Sequence, residues 1–343
     1  MKNNFSLKRN QIQANSTYMK QKINLLNPFT KKPLQEQPDG LSENDKIVFP
    51  YKNGAYRLVE DDNYTQNFGY QWNKFAATQI DQAKKNMQLS NRRVFAVTGW
   101  DKEDLQDKNV LEVGSGAGRF SQVILDCTKA NLYSVDYSNA VEANFKNNGH
   151  HKERFHLYQA SVYDMPFATG QFDKVFCFGV IQHTPDVQKT VQCLISMAKP
   201  GAEVIVDFYC VNGWWTKVQA KYIFRPITKK WSNEKLLNKI EKNVDWMISA
   251  TTFFNKIGIG RFVNRFIPIC DIKGTLPQGM SRQELREWCI LDTFDMFSPQ
   301  YDQPQKVSTV KKWFEENGME QVWGGTIRFD NSTAYVVKGF KKS

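Results

Sequence analysis

The run VLEVGSGAGRF, Val110 to Phe120, constrains this chain more than any other stretch. Val110, Leu111, Glu112 and Val113 read as a strand carrying one acid. Gly114, Gly116 and Gly118 follow at every second position, and Phe120, Val123, Ile124 and Leu125 then recur at helical spacing. Glycine lets the main chain approach a ligand with no Cβ in the way. A helix that starts at such a turn offers unpaired N–H groups and the positive end of its dipole. Strand, glycine turn and helix N-terminus in this order make a cradle for a nucleotide at the edge of a parallel sheet. A dinucleotide fingerprint G-x-G-x-x-G from Gly114 needs glycine at position 119, where Arg119 stands.

Around this cradle the chain alternates strand and helix. Apolar runs at 109–113, 131–135, 154–159, 173–178 and 202–209 read as strands, with helical stretches such as 185–198 between them. Alternating units of this kind predict an α/β fold, Rossmann-like, with a mostly parallel sheet covered on both faces. The predicted division is a loosely held or disordered tail at 1–45, then N-terminal strands and an aromatic helical lid at 46–104. The core follows at 105–210, a helical cap insertion at 211–305, and a core-completing helix and closing antiparallel hairpin at 306–343. Asn53-Gly54 within 46–60 predicts a turn between two short strands.

Asp136 ends the second strand, 18 residues after the third glycine. An acid at that place accepts hydrogen bonds from ribose hydroxyls; the competing reading is a helix N-cap. His183 stands past the end of the fourth strand and reads as a general base or positioning group, or as a loop-capping histidine. No metal site is expected. The six cysteines are scattered without a C-x-x-C pair, and no apolar run approaches the ~20 residues of a membrane span. These features predict a cytoplasmic protein with reduced thiols.

The pattern acid-x-G-x-G-x-G, with Asp136, Met165-Pro166-Phe167 and Ile181 to Pro185 following in order, resembles class I S-adenosylmethionine-dependent methyltransferases of the type 11-like group. More narrowly, FGYQWNKF, Arg92, Arg93 and a tryptophan ahead of the glycine motif are similar to bacterial methyltransferases of surface-polysaccharide and specialised biosynthesis. The resemblance runs from the first to the fifth core strand and resumes at 307–340. It implies a seven-stranded mixed sheet, S-adenosyl-L-methionine as cofactor, and cofactor contacts at Glu112, Gly114, Gly116, Gly118, Asp136, Tyr137, Phe178 and Gly179. The family's usual acid after the third strand is replaced by Ser161, so the adenine contact falls to Ser161, backbone near Val162, or Asp164.

The aromatic segment 63–81 suggests a lid in which Tyr64, Phe68, Gln71 and Trp72 close over the cofactor while Arg92 or Arg93 pairs with its carboxylate. Helix packing and surface charge are the alternative reading. The net charge of +11 is uneven: residues 1–104 carry +5, residues 105–207 carry −2 and residues 208–343 carry +8. A basic flank suits an anionic acceptor or surface. The stretch 214–231, WWTKVQAKYIFRPITKKW, mixes aromatics with Lys and Arg, which suits a membrane surface, at the inner face for a cytoplasmic protein, a phosphate-bearing acceptor or stacking on nucleic acid; a folded cap with its own aromatic core and a basic exterior is the alternative reading. A small-molecule or glycan acceptor, free or lipid-linked, is the expected partner. A nucleic-acid methyltransferase is the enzymatic alternative, disfavoured because no RNA-binding motif is visible; a non-catalytic cofactor-binding scaffold is the other. The sequence leaves the oligomeric state open.

Overall fold

Successive residues of a strand point to opposite faces, and here that rule sorts the core strands into two apolar layers. Leu111, Tyr133, Val175 and Val204 meet one layer, whereas their neighbours Val110, Leu132, Phe176 and Ile205 meet the other. The computed structural model describes residues 23–81, 88–211, 213–275, 279–330 and 332–343. It starts with β1 (Gln35–Gln37), β2 (Gly40–Glu43), β3 (Lys46–Lys52) and β4 (Ala55–Arg57), then α1 (Gln66–Lys74) and α2 (Leu89–Thr98). The core is β5 (Asn109–Val113), α3 (Arg119–Cys127), β6 (Asn131–Asp136), α4 (Val141–Asn148), β7 (Phe155–Gln159), β8 (Phe172–Phe178), α5 (Val187–Met197) and β9 (Ala198–Phe208). The cap comprises α6 (Ala220–Thr228), α7 (Asn233–Lys256), α8 (Gly260–Val263), α9 (Ile272–Thr275) and α10 (Arg282–Phe297). Helix α11 (Val307–Glu316) and strands β10 (Met319–Phe329) and β11 (Ser332–Lys341) complete the chain.

Strand order is β1-β2-β3-β4-β7-β6-β5-β8-β9-β11-β10. Strands β4, β7, β6, β5, β8 and β9 run parallel, and β11 joins β9 antiparallel with β10 outside it. The mixed, mostly parallel α/β sheet with its antiparallel closing hairpin agrees with the expectation; the strand count does not. The sheet has eleven strands rather than seven, because β1 to β4 extend it beyond β7. The same strands correct the loosely held tail: Leu25, Leu34 and Leu41 are buried against the sheet, in a stretch whose scattered apolar residues show no period. Residues 1–22 of that expected tail lie outside the described residues.

Helices α5 and α11 cover one face through Val191, Leu194, Val310 and Phe314. Helices α2, α3 and α4 cover the other through Val97, Phe120, Ile124 and Val141. The cap has its own core, where Leu237, Ile240 and Val244 of α7 meet Trp288, Phe294 and Phe297 of α10. Helices α7 and α10 start on sequence-encoded caps: Ser232 accepts from the Lys235 N–H, and Ser281 and Glu284 form a capping box. Tyr70 of α1 and Phe75 just after it pack on this cap core, and cap residues Trp288, Asp292 and Met296 share one cavity with the strand ends at Gly114, Asp136 and Gly179.

Candidate functional site

The glycine turn departs from the end of β5 with Gly114, Gly116 and Gly118 all in the left-handed region (φ +80°, +52° and +82°). Gly118 and Gly116 serve different ends. A Cβ at Gly118 would lie 2.0 Å from Asn144 Oδ1, so this glycine is demanded by packing against α4. The atoms nearest to a Cβ at Gly116 would be those of the Trp72 indole, at 3.1 Å, so its open side faces Trp72. The Gly116 N–H donates to Asp136 Oδ2 at 2.7 Å, and Asp136 Oδ1 accepts from the Ser138 N–H and hydroxyl at 2.8 and 2.6 Å. Helix α4 begins at Val141 after Ala140, so Asp136 is not its N-cap. Burial raises the Asp136 carboxyl, against the pull of those hydrogen bonds.

Glu112 lies behind this wall, 1% exposed. It accepts from the Ser121 and Ser134 hydroxyls at 2.5 and 3.1 Å, and Asn144 Nδ2 ties Ser115, Ser121 and Ser134 together. Burial pushes its carboxyl up to about 7, opposed by the two serines, and Oε1 has no partner among the described residues. A carboxyl raised from about 4.5 to about 7 favours the folded state fully below pH 4.5 and loses that contribution as pH rises through 7. Urea denaturation at pH 5 and pH 8 should therefore show the native protein losing on the order of 3 kcal/mol relative to Glu112→Gln. An unchanged difference would show that Glu112 titrates normally.

Beside the turn lies a cavity of about 1300 Å³, larger than the roughly 300–1,000 Å³ of a single-ligand site. Gly114, Gly116, Asp136, Tyr137, Val162, Phe178, Gly179, His183, Trp72 and Arg93 all line it. The strand ends bring them together, since β5, β6 and β8 terminate at one edge. Glu112, Gly118 and Ser161 do not line it. Ser161 turns its hydroxyl to the Tyr163 N–H at 3.1 Å, a local turn bond that a serine makes in place of the longer reach of an aspartate. Phe178 packs edge-on against Phe120 of α3.

The wall opposite the sheet comes from α1 and the segment before it. Tyr64 contacts Tyr137 and Tyr301, Phe68 contacts His183, and Asn67 donates to Ser298 of the cap at 3.0 Å. Gln71 is 1% exposed, lines the cavity, and leaves Oε1 without a partner among the described residues. Arg93 is held by Asp207 at 2.6 Å, and Asp207 also accepts the Gly179 N–H at 2.5 Å. Arg92 pairs with Asp330 at 3.1 Å. The buried Nε atoms of Arg93 and Arg119 both lack a partner among the described residues, and Arg119 is the residue that broke the dinucleotide spacing. Its Nη1 donates to Gln79, and burial lowers it to about 10. The signal lay in its position: the first residue of the helix that leaves the cradle.

His183 is buried, and its Nδ1 lies 3.0 Å from the Tyr301 carbonyl. A carbonyl only accepts, so Nδ1 carries the proton and Nε2 is a lone-pair acceptor. Burial lowers its pKa to about 4, leaving it uncharged at neutral pH. The cap's helix α10 adds two carboxylates, Asp292 and Asp295, to the cavity. Burial and the neighbouring Asp295 push Asp292 up to about 7, and Asp295 accepts from the Tyr209 hydroxyl at 3.2 Å. Asp302, in turn, takes Lys221 at 2.8 Å and Arg225 at 2.6 Å. Of the three, Lys221 lines the chamber.

Residues 111–206 match the family described as Methyltransferase domain. A tRNA U34 carboxymethyltransferase of Nautilia profundicola is 30% identical over 111 residues, 32% of this chain and 37% of that protein. The chloroplastic tocopherol O-methyltransferase of Arabidopsis thaliana is 30% identical over 121 residues, 34% of each chain. The matched region thus spans well under half of either relative. The methyltransferase solved in complex with the Trm112 activator of Haloferax volcanii is 11% identical, with a TM-score of 0.46, covering 83% of this chain and 100% of that one.

Proposed function

We propose, on the premise that this chain carries a class I S-adenosylmethionine-dependent methyltransferase domain, that it methylates a small-molecule acceptor held between that domain and the helical cap. The observation that carries the reading is the meeting of unspent groups in one chamber. The Gly116–Asp136 brace presents a carboxylate with lone pairs to spare, and the buried Gln71 Oε1 and Arg119 Nε lack partners beside it. These donors and acceptors fit the cofactor. Asp136 would take the ribose hydroxyls, Arg119 the carboxylate, and Gln71 the ammonium, with Trp72 closing over the turn. Arg93 keeps a supporting role, holding Asp207 and through it the Gly179 backbone.

When bound, S-adenosylmethionine supplies an already activated methyl group, so the protein mainly binds, aligns and excludes water. Tyr64, Phe68 and Trp72 shut water out from the lid side. His183 offers Nε2 as a hydrogen-bond acceptor that positions the acceptor; a base of pKa about 4 removes little proton at neutral pH. Asp292, at about 7, is the better matched proton acceptor for a hydroxyl or amine. The apolar Ile267, Ile269 and Met296 along the same chamber suit an acceptor with an apolar body.

Calorimetry should give binding of S-adenosylmethionine and of its demethylated product, mutually exclusive, with no binding of a nicotinamide dinucleotide. Absence of binding to both sulfur compounds would sink the proposal. Trp72→Ala and Arg93→Ala should each weaken that binding; unchanged affinity in both would remove the lid. Once an acceptor is in hand, Asp292→Asn should abolish the rise in kcat near pH 7, while His183→Ala should raise KM for the acceptor and leave the pH profile in place.

A further inference from the structure

Helix α6 is folded inside out. Its charged and polar residues Lys221, Arg225 and Thr228 are buried, held by Asp302 and by the Pro299 and Phe297 carbonyls. Its apolar residues Ile223, Phe224 and Ile227 face out, each more than 40% exposed. A helix on a water-facing surface carries the reverse pattern. The outward face continues across the neighbouring elements. Just before α6, Trp214 and Trp215 stack at 4.1 Å, with Trp214 71% exposed. Arg265 donates to the Trp215 and Val218 carbonyls and so fastens that turn to Phe262 and Phe266, which are 72% and 53% exposed. Asn264 in turn bonds the Thr251 carbonyl and Asn255 of α7.

The charge on this face has one sign. Residues 213–233 and 246–270 contain eight Lys and Arg and no Asp or Glu. Asp302 pairs with both Lys221 and Arg225, while Lys217, Lys229, Lys230, Lys256, Arg261 and Arg265 make no ion pair with any described residue. We infer that this face lies on an anionic lipid bilayer. Tryptophan and phenylalanine suit the headgroup boundary, and each Lys or Arg adds attraction to an anionic leaflet. A two-fold dimer through the same face would set the six cations against their own copies. A polyanion such as RNA would leave Ile223, Ile227 and Phe262 without a use. No helix among the described residues is long and apolar enough to cross a membrane, so the contact is with the surface.

The cavity reaches this face, since Thr216, Gln219, Arg261 and Arg265 line it. On the methyltransferase reading, on which this step rests, an acceptor carried in the bilayer enters the chamber from the lipid side. It leaves the bilayer where Trp214, Trp215 and Phe262 sit.

The full chain should be sedimented with vesicles of phosphatidylcholine alone and of phosphatidylcholine with phosphatidylglycerol. Binding is expected to the anionic vesicles only, with a blue shift of tryptophan fluorescence. Lys229→Ala with Lys230→Ala should weaken it about thirty-fold. Trp214→Ser with Trp215→Ser should reduce it at least about tenfold and remove the blue shift. All these side chains are outside the cofactor region, so calorimetric affinity for S-adenosylmethionine should stay unchanged. Equal sedimentation with both vesicle types, or variants that bind like the native chain, would overturn the inference. So would a dimer that forms without vesicles and is lost in the Trp214→Ser, Trp215→Ser variant. A chain that binds vesicles but not the cofactor would instead refute the methyltransferase reading alone.

Discussion

Asp136→Ala is expected to lower the affinity for S-adenosylmethionine by at least about 100-fold. The aspartate has two tasks and alanine performs neither. One oxygen fastens the Gly116 N–H, which sets the shape of the glycine turn, and the other closes the Ser138 turn behind it. The lone pairs left over are the acceptors proposed for two ribose hydroxyls. Hydrogen bonds to a charged partner contribute about 1.5–3 kcal/mol each, so losing two amounts to about 3 kcal/mol or more, which is the 100-fold stated. Asp136→Asn retains one acceptor oxygen and should fall between. Calorimetry measures the affinity, and thermal unfolding of the unliganded variants checks that the fold survives. A loss under about fivefold in Asp136→Ala, with the fold intact, would remove Asp136 from the cofactor site.

Gly118→Ala should strongly destabilise the core turn. The position has φ +82°, which for a residue with a Cβ is strained by about 1–2 kcal/mol. The new carbon would also stand 2.0 Å from Asn144 Oδ1 and 2.4 Å from Asn148 Nδ2. Both asparagines are fully buried, and Asn144 holds the three serines around Glu112, so neither can swing away without breaking buried hydrogen bonds. Strain and overpacking together come to roughly 2–5 kcal/mol, a large part of an ordinary stability of about 5–15 kcal/mol. Gly201→Ala is the control, because Gly201 has φ +76° with nothing within 4 Å of its would-be Cβ. Urea denaturation should give a loss for Gly118→Ala at least about 2 kcal/mol beyond that of Gly201→Ala. Equal losses would mean that backbone strain alone requires the glycine.

The parts of the site that follow one another along the chain were legible early. The glycine turn and Asp136 come from neighbouring strand ends, and the period of Val110, Leu111 and Val113 announced the strand that carries them. Arg93 and Trp72 line the chamber, and the partner of Arg93 is not visible in the sequence, since Asp207 is 114 residues away. Arg119 was read only as a defect in a glycine spacing. Ser161 and Glu112 looked like contacts because of where they stand in a motif, yet each turns its side chain to a nearby backbone or hydroxyl group.

By itself the sequence determined what depends on short separations: the period-2 and helical patterns, the glycine turn, the helix caps and hence a mostly parallel α/β core. Tertiary structure decided what depends on meeting across long separations. It added β1 to β4 to the sheet, turned the polar side of α6 inward onto Asp302, and brought Asp292 and Asp295 over the strand ends. The reason is that local backbone preferences act within a few residues. Which charge is buried, and against which partner, is a balance of desolvation and pairing that exists only once the layers have closed.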